Sequence, residues 1–575
     1  MQGLPAMFAQ WETAVQAWLV GLGGFGDLVT FVTRFFFPLM TLALFLRCLW
    51  PLMSGGRRPK PWALAETPDG TRLPLVHWEN AVGSGKNCDV TLDDPAVSRT
   101  HAVISRRRDG WYVTDMGSAG GTAVGGTPCA GTVRFEEGDL LTLAGVELTV
   151  LPVEGDYDRP RQRRGLSGWA ADAARSLKPG VTLLYLLLFQ LTALAAFAFG
   201  AGAGFSLTVP VAYLMFMALE CLYFLFTRGR GRRRIEPELL AFFLCGIGLF
   251  VAAADPDSLL KQVGAIAIGL LLFLVLTFFL NNIDRARLAR YVFAGGSVAL
   301  LALNLLLGET RFGARNWLSL GPVSIQPSEL VKVAFVFAGA ASLEYLLTRR
   351  NLIMFLGFSG VCVGALGLMR DFGAAVIFFA GFLVMAFLRS GDARLLLVGL
   401  AVAAAGAFLA ISIMPYIAAR FAAWGNAWAF ADTTGYQQTR TMIYTASGGL
   451  LGTGLGHGFL RHVAAADTDL VFGVVAEEWG LIVALACALA PLALAFFAAT
   501  SVRAARSAFY AIAACGAAVI LLTQTALNVF GSLDILPLTG VTLPFVSNGG
   551  SSMVGCWGLL ACIKSIDERH RSGRG

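Results

Sequence analysis

Apolar runs of about twenty residues, the length that crosses a bilayer as a helix, recur along most of this chain. Short segments rich in Gly, Pro and charged residues separate them. The pattern predicts an all-α polytopic membrane bundle. We predict thirteen membrane-spanning helices, near residues 28–50, 181–199, 205–226, 237–254, 259–280, 288–307, 328–347, 352–369, 373–389, 394–414, 471–500, 507–530 and 546–563.

One long stretch between the first two spans has a different pattern. Residues 71–152 alternate short β-rich runs with turn signals, which predicts an inserted all-β sandwich. The predicted domains are an N-terminal segment outside the cytoplasm (1–27), a transmembrane helix (28–50), a linker (51–70), the sandwich (71–152), a basic linker (153–178), two additional transmembrane helices (179–235), a core of ten transmembrane helices (236–566) and a cytoplasmic tail (567–575).

The composition agrees with a membrane protein. Hydrophobic residues make up 56% of the 575 residues and charged residues only 14%, whereas a soluble domain carries about 25% charged residues. The net charge of +7 comes from basic clusters beside apolar runs, such as 228–234, so we expect no nucleic-acid partner. The ten cysteines contain no CxxC pair, which predicts neither a disulfide framework nor a zinc site. No removable signal peptide is evident.

The distribution of Lys and Arg predicts how the spans are oriented. When every span is counted, the basic clusters fall on one side, which is the cytoplasmic side by the positive-inside rule. The sandwich then lies in the cytoplasm, and the loops 308–327 and 415–470 lie on the outer side of the membrane. A structureless loop as long as 415–470 is uncommon, and this one holds Trp, Tyr, Arg, His and Asp, so we expect it to carry function.

Ionisable side chains at the predicted spans are costly in a membrane and mark candidate functional positions. Glu329 and Lys332 lie in the first turns of one span, where an i,i+3 ion pair is the simpler explanation. Asp467 and Asp469 precede the span 471–500, and either could cap that helix instead of acting in catalysis.

Two further groups of residues belong to the same set. Glu477 and Glu478 follow about two helical turns later, and one of them is expected to pair with backbone groups or with a cation from a neighbouring span. The run Pro537–Ser552 places glycines beside serines at the head of a span, which offers N–H donors to an anion, although close helix packing would also explain small residues there.

Several motifs of the insert resemble a forkhead-associated (FHA) domain, namely Val82-Gly83, Cys88–Leu92, Val97–Ala102 and Asp115–Thr122. The resemblance implies phosphothreonine-peptide binding, with Ser98 and Arg99 available to the phosphate and His101 bracing the loops. Two usual donors are missing, because Ser84 stands in place of an Arg and Gly120 in place of an Asn. A phosphothreonine reader and a sandwich that binds proteins without phosphate therefore both stay open.

The membrane part carries an ordered set of motifs: Gly313–Trp317, Gln326–Glu329 with Lys332, Asp371–Gly373, Tyr436-Gln437, Gly452–Gly456, Thr468–Phe472 with Ala476–Gly480, and Pro537–Ser552. In this order the set resembles the SEDS family of cell-wall polymerases, which includes FtsW, RodA and SpoVE, over about residues 237–565. The resemblance implies a peptidoglycan glycosyltransferase that polymerises lipid II into β-1,4 glycan strands at the outer face of the bacterial cytoplasmic membrane, in division, elongation or sporulation.

The resemblance also implies roles for single residues. Asp469 matches the family's catalytic aspartate, whose implied role is general base on an acceptor hydroxyl in an inverting transfer from a polyprenyl-diphosphate donor. Lys332 and Arg315 are candidates for neutralising the diphosphate, and Glu329 would position Lys332. No metal site is firm, although a divalent cation, Mg²⁺ or Mn²⁺, stays open as a further source of charge. The remaining substrate-binding candidates are Trp317, Gln326, Tyr436, Gln437, Glu477, Ser551 and Ser552.

The chain departs from the family pattern at three positions. Asp467 stands where a His is usual, Asn548 where a Tyr is usual, and Arg440 where a Gln is common. An additional carboxylate beside Asp469 would either raise its pKa or add a metal ligand.

Two other functions fit a many-span bundle. A flippase for the same lipid would place polar groups near the midplane, whereas Asp469, Arg315 and the long loop gather at the outer surface. A phosphopeptide-reading scaffold with an inactive core would not need Asp469. The expected partners are lipid II, a class B penicillin-binding protein (a transpeptidase) and a phosphothreonine protein at the FHA-like domain.

Overall fold

The computed structural model describes residues 3–53, 61–77, 79–85, 88–107, 110–153, 177–230, 234–280, 283–311, 313–321, 323–344, 349–502 and 507–568. The chain divides into two compact units. One unit contains the apolar helices, and the other contains the strands between Ala63 and Pro152.

The strand-rich unit is a sandwich of two sheets. The sheets have the orders β2-β1-β11-β10-β7-β8 and β4-β3-β5-β6-β9. Alternate side chains point into a shared core, as with Trp111 and Val113 on one sheet and Leu148 and Val150 on the other. The strands are β1 Ala63–Glu66, β2 Arg72–Leu75, β3 Glu79–Gly83, β4 Val90–Thr91, β5 Ala102–Arg107, β6 Gly110–Asp115, β7 Thr122–Val124, β8 Thr127–Pro128, β9 Thr132–Phe135, β10 Leu140–Leu143 and β11 Val146–Pro152.

The sandwich begins earlier than its sequence pattern predicts. Strand β1 lies within the predicted linker 51–70, and it pairs with β11 from Ala63 opposite Pro152 to Glu66 opposite Thr149. The boundary at residue 71 was therefore wrong. Short strands rich in Ala carry little β-propensity of their own, so β1 depends on its long-range partner.

Helices make up most of the other unit. In the described part of the chain they are α1 Gly3–Gly21, α2 Gly23–Met53, α3 Pro179–Ala201, α4 Thr208–Gly229, α5 Glu236–Ala252, α6 Pro256–Leu280, α7 Ile283–Leu307, α8 Pro327–Glu344, α9 Arg349–Leu368, α10 Phe372–Ser390, α11 Ala393–Ile413, α12 Pro415–Ala423, α13 Tyr436–Gly448, α14 Val471–Trp479, α15 Leu481–Val502, α16 Ala508–Ser532 and α17 Gly550–Glu568.

Ten helices among the described residues are long and apolar enough to cross a membrane. They confirm the predicted polytopic bundle, although thirteen spans were expected. Helix α5 has only 17 residues, α8 contains three charged residues, and α17 is apolar over a shorter stretch. These three helices coincide with the remaining predicted spans, at 237–254, 328–347 and 546–563.

The predicted span 471–500 is wrong as a single helix. Helix α14 ends at Trp479 and α15 begins at Leu481, with Gly480 between them at φ 91°. A Cβ on Gly480 would overlap the carbonyl oxygen of Leu450, so the backbone approach also requires glycine. Glu477 and Glu478 consequently lie in a short helix that precedes the apolar one.

Both long loops contain regular structure that the sequence pattern did not predict. The loop 308–327 forms an antiparallel sheet of β12 Glu309–Arg311, β13 Ala314–Leu320 and β14 Val323–Ile325. The loop 415–470 contains α12, α13 and two 3₁₀ turns at Ala427–Phe430 and Leu460–His462. The N-terminal segment 1–27, which was predicted to lie outside the cytoplasm, contains α1 and the start of α2 in its described residues.

Candidate active site

Asp469 lies in the turn that leads into α14, and its backbone is held by hydrogen bonds. Ala465, at φ 60°, turns the chain so that the Asp469 amide donates to the Ala465 carbonyl at 2.9 Å. Asn528 of α16 donates from Nδ2 to the Asp469 carbonyl at 3.0 Å and to the Val541 carbonyl at 2.7 Å. Asn528 therefore connects the Asp469 turn to the loop that precedes α17.

The Asp469 carboxylate is half-buried and faces Gly540 in that loop. A Cβ on Gly540 would lie only 3.2 Å from Asp469 Oδ2, and Gly540 has φ 71°. Glycine thus allows both the left-handed turn and the close approach of the carboxylate.

The surroundings of Asp469 favour a carboxyl group that can act as a base. Burial raises the pKa of Asp469 to about 6, and the nearby charge of Asp467 adds to the rise, while a hydrogen bond from Thr468 and the charge of Arg420 oppose it. Arg420 lies on α12 and donates from Nη1 to the Leu538 carbonyl at 3.1 Å. At neutral pH the carboxylate is mostly ionised and more basic than an ordinary aspartate.

Asp371 gathers the loop 308–327 at the start of α10. It caps the helix by accepting from the Ala374 amide at 3.1 Å through Oδ1. Its Oδ2 accepts from Asn316 Nδ2 at 2.9 Å and from Gln326 Nε2 at 3.1 Å. The predicted binding residue Gln326 therefore helps to hold this loop.

The loop around Gly540 joins Asp371 to the Asp469 turn. A Cβ on Gly373 would lie 3.2 Å from Val541 Cγ2 and 3.3 Å from the Thr539 carbonyl. Gly540, between these two contacts, faces Asp469. Motifs that are far apart in the sequence thus meet on one short loop.

Lys332 and Ser552 belong to one buried polar network. Lys332 Nζ lies 2.6 Å from Glu329 Oε2 and donates to Gln524 Oε1 at 2.8 Å. Gln524 Nε2 donates to Thr542 Oγ1 at 2.9 Å, and the hydroxyls of Thr542 and Ser552 lie 2.6 Å apart. The contact with Glu329 agrees with the predicted positioning of Lys332, which is 1% exposed. A role for Lys332 at the diphosphate stays a prediction.

Arg315 contacts the end of a helix. It donates from Nε to the Gly308 carbonyl at 2.9 Å and from Nη1 to the Leu305 carbonyl at 3.2 Å. The last carbonyls of a helix lack partners within the helix, and Arg315 supplies donors to them. This side chain therefore fastens β13 to the C-terminal end of α7.

Trp317 and Ser551 are two further predicted binding residues, and both are associated with the loop 308–327. Trp317 is half-buried on β13. Ser551 Oγ accepts from the Gln326 amide at 3.0 Å, which bonds the start of α17 to the end of the loop 308–327.

Tyr436 and Gln437 begin α13. Gln437 Nε2 donates to the Ala464 carbonyl at 2.9 Å, next to the turn that carries Asp469. The Tyr436 ring is 40% exposed, and the Arg440 guanidinium lies 5.1 Å from its centroid. Gln437 supports the turn, whereas Tyr436 presents an exposed aromatic face near it.

Glu477 and Glu478 bind groups of the long loop. The predicted pairing with backbone is found at Glu477, whereas the cation at Glu478 comes from the long loop and not from a neighbouring span. Glu477 accepts from the backbone amides of Phe459 at 2.8 Å and Leu460 at 2.9 Å. Glu478 pairs with Arg461. Glu477 is 1% exposed, so its hydrogen bonds hold the long loop in shape. Its contact with substrate stays a prediction, and the burial of the side chain does not support it.

Sequence reasoning missed Arg420, Asn528 and Gln524. Gln524 and Asn528 are buried amides spaced i,i+4 on α16, so they lie on one face of an apolar helix. That spacing was the signal that could have found them, because polar residues within a span need a partner. Arg420 carries no comparable signal.

The FHA-like unit keeps part of its expected phosphate site. His101 is buried, accepts from the Ser98 amide at 3.1 Å through Nδ1 and lies 2.9 Å from the Gly121 carbonyl through Nε2. This arrangement agrees with the bracing role predicted for His101. Ser98 is partly exposed and Arg99 is exposed, so both side chains are accessible to a ligand.

The two replaced donors have structural consequences in the same loops. Ser84 Oγ donates to the Val97 carbonyl at 2.7 Å and so serves the fold. A Cβ on Gly120 would overlap Ala144 Cβ, so an Asn does not fit at this position unless Ala144 moves.

The described residues offer few ligands for a metal. No group of three or more His, Cys, Asp or Glu side chains gathers within the part of the chain that the structure describes. Near Asp469 the second carboxylate is Asp467, which accepts a hydrogen bond from Asn548. A divalent cation held by protein side chains alone does not fit this donor set.

Residues 252–572 match the model of the FtsW/RodA/SpoVE family, described as cell cycle protein. The chain belongs to the FtsW/RodA/SpoVE family. Residues 80–144 match the FHA domain, so the sandwich is an FHA domain. Helices α1 to α4 precede the part that matches the FtsW/RodA/SpoVE family.

This FtsW/RodA/SpoVE chain is similar to two peptidoglycan glycosyltransferases and to one solved structure. Peptidoglycan glycosyltransferase RodA of Mycobacterium tuberculosis is 31% identical over 325 residues, which cover 53% of this chain and 69% of that protein. Probable peptidoglycan glycosyltransferase FtsW of Legionella pneumophila is 34% identical, with 48% and 73% covered. A solved structure described as structural coordination of polymerization and crosslinking by a peptidoglycan synthase complex is similar at a TM-score of 0.50 and 30% identity, with 58% and 98% covered.

Proposed function

We propose that this multi-pass membrane protein is a peptidoglycan glycosyltransferase that polymerises lipid II at the outer face of the cytoplasmic membrane. The observation that carries the proposal is the half-buried carboxylate of Asp469, which lies against Gly540 where the family's motifs converge. A carboxylate with a raised pKa suits a general base, because it accepts a proton readily and is still ionised at neutral pH.

In the proposed reaction, Asp469 accepts the proton of the acceptor sugar's 4-hydroxyl. The hydroxyl oxygen then forms a bond to the anomeric carbon of the donor from the face opposite the leaving group, which inverts the configuration. The bond from that carbon to the diphosphate oxygen breaks, and its electron pair leaves with the diphosphate. The bonds to Ala465 and Asn528 hold the Asp469 backbone and limit the positions that the base can take.

Arg420 is the cation that we assign to the leaving diphosphate. Its charge acts on Asp469, and its guanidinium lies beside the Gly540 loop at Leu538. Lys332 and Arg315 also have bonded partners, Gln524 and the end of α7, and Arg420 is preferred because its charge acts on Asp469. Mg²⁺ or Mn²⁺ that arrives with the diphosphate would add to this charge, and titration of the metal after chelation tests its contribution.

The FHA domain is proposed to lie in the cytoplasm and to bind a phosphothreonine segment of another protein through Ser98 and Arg99. Both side chains are accessible, and Arg pairs well with phosphate. On the outer side we propose a class B penicillin-binding protein as partner, because a polymerase needs a transpeptidase to crosslink its strands.

The test uses purified full-length protein and labelled lipid II. We expect glycan strands on a gel from the wild type, alone or with the cognate transpeptidase. A parallel assay in vesicles follows movement of the lipid between leaflets. If lipid II moves between leaflets but no polymer forms, either with or without the transpeptidase present, the glycosyltransferase is refuted. That result would favour a flippase.

A further inference from the structure

Helices α2 and α3 precede the family match, yet they pack on the short helix that follows Asp469. Trp479, the last residue of α14, is 2% exposed. Its ring centroid lies 4.9 Å from that of Phe37 on α2 and 5.4 Å from that of Phe189 on α3. The far end of α14 is therefore enclosed by α2 and α3 together with α5, whose Phe250 ring centroid lies 5.5 Å from that of Trp479.

The same two helices contact the glycine-rich segment 452–456 of the long loop. A Cβ on Gly200 of α3 would overlap the Leu455 carbonyl oxygen, and a Cβ on Gly456 would lie 2.9 Å from the Gly200 carbonyl carbon. A Cβ on Gly454 would lie 2.6 Å from Thr30 Cγ2 on α2. Backbone touches backbone at Gly200 and Gly456, and the Thr30 methyl lies against the backbone at Gly454; these approaches are possible because the positions are glycines.

The glycine-rich segment is in turn bonded to the end of α14. The Gly454 amide donates to the Glu478 carbonyl at 3.1 Å, and the Gly456 amide donates to Glu478 Oε2 at 3.2 Å. The Thr453 amide donates to the Glu477 carbonyl at 2.8 Å. Helices α2 and α3 therefore hold α14 directly through Trp479 and indirectly through this segment.

Helix α14 connects Trp479, where α2 and α3 make their contacts, to the turn that carries Asp469. Its nine residues span about 14 Å, and it begins two residues after Asp469. All nine residues are buried. A short, enclosed helix moves as one body, so a displacement at Trp479 reaches the Asp469 turn.

We propose that α2 and α3 are a built-in brace that fixes the catalytic turn for polymerisation. Phe37, Phe189 and Gly200 are its positioning residues, and they act on Asp469 through Trp479 and the segment 452–456. The inference rests on the proposed function, because it concerns the placement of the same base. Misplacing a catalytic group by about 1 Å can cost on the order of 100-fold in rate.

The first test compares Gly200→Ala with Gly204→Ala in the full-length protein. The added methyl at Gly200 displaces the Leu455 carbonyl, whereas nothing lies within 4 Å of a Cβ on Gly204. We expect Gly200→Ala to lower kcat at least about tenfold with KM for lipid II unchanged, because donor binding does not depend on the placement of the base. Gly204→Ala should match the wild type in both constants.

The second test compares two phenylalanines of the same helix. Phe37 is 4% exposed against Trp479, whereas Phe35 is 48% exposed on the outside of the bundle. Phe37→Ala should lower kcat and speed hydrogen exchange of the α14 amides, and Phe35→Ala should change neither. Phe37→Leu keeps apolar volume, and it should recover part of the lost kcat.

The outcomes separate this inference from the proposed function. If Gly200→Ala and Phe37→Ala polymerise at the wild-type kcat while Asp469→Asn is inactive, the brace is refuted and the glycosyltransferase stands. If kcat falls only together with a large fall in the melting temperature, and Phe37→Leu recovers nothing, general unfolding explains the loss and the brace is likewise refuted. If Asp469→Asn polymerises like the wild type, the proposed function itself is refuted.

Discussion

Asn548 donates from Nδ2 to Asp467 Oδ2 at 2.8 Å, and its backbone amide donates to the Asp467 carbonyl at 2.8 Å. These are two of the positions at which the chain departs from the family pattern, with Asp in place of His and Asn in place of Tyr. Asn548 Nδ2 also lies 2.6 Å from Ser258 Oγ on α6. The two departures therefore form a single contact beside the turn that carries Asp469.

The contact predicts that the two residues can be exchanged only together. Asp467→His or Asn548→Tyr alone should slow polymerisation about tenfold, because each leaves a half-buried polar group without its partner, at a cost of about 1–3 kcal/mol. The double variant Asp467→His/Asn548→Tyr carries the two residues that are usual at these positions in the family pattern, and it should recover much of the rate. Initial rates of glycan formation measure this. A double variant no better than the poorer single variant would contradict the pairing.

The raised pKa of Asp469 predicts the acidic limb of the pH–rate profile. The base acts only when ionised, so kcat should rise with pH through a midpoint near 6. Asp467→Asn removes a charge that raises this pKa and should shift the midpoint to lower pH, whereas Arg420→Gln removes a charge that lowers it and should shift the midpoint upward. Asp432→Asn, at an exposed position of the same loop, is the control. A wild-type midpoint near pH 4 would contradict the buried base.

The ion pair of Lys332 predicts a large effect on stability. Lys332→Met leaves the Glu329 carboxylate buried without its cation, which should destabilise the protein by about 3–5 kcal/mol. Glu329→Gln/Lys332→Met removes both charges and should recover most of that loss. Thermal unfolding of the purified variants measures both effects. A Lys332→Met variant that melts like the wild type would show that the buried pair does not contribute to the stability of the fold.

The FHA domain should bind phosphothreonine through the two accessible side chains that it keeps. Ser98→Ala and Arg99→Ala should each weaken binding of a phosphothreonine peptide about tenfold, because each removes a hydrogen-bond donor to a charged group, worth about 1.5–3 kcal/mol. Fluorescence anisotropy with the unphosphorylated peptide as control measures this. Equal affinity for both peptides would instead favour a sandwich that binds proteins without phosphate.

The sequence predicted those features that depend on length and period. Apolar runs of bilayer length gave most of the helices, and alternating runs gave the sandwich. The order of the motifs pointed to Asp469, and spacing i,i+3 predicted the contact between Glu329 and Lys332, which is 2.6 Å in the structure.

Other features depend on backbone angles or long-range contacts and leave no periodic signal. Gly480 interrupts an apolar run that looks continuous in the sequence. The break cannot be seen there because it results from the backbone angle φ of 91°, which hydropathy does not report. In the sequence, Arg420 looks like any other charged residue of a loop. Only the fold shows that it lies on α12 and donates to the Leu538 carbonyl. The contact of Gly200 with Leu455 joins segments far apart in the chain, and either glycine-rich segment alone would suggest only a turn.

The most direct measurement is the rate of glycan formation by purified Asp469→Asn relative to the wild type, with Asp432→Asn as the matched control from the same loop. The amide keeps the size of the side chain and cannot accept the proton, so the account predicts a loss of about 100-fold or more in kcat. Asp432→Asn should polymerise lipid II at the wild-type rate. Equal rates for Asp469→Asn and the wild type would contradict the role of this carboxylate as the catalytic base.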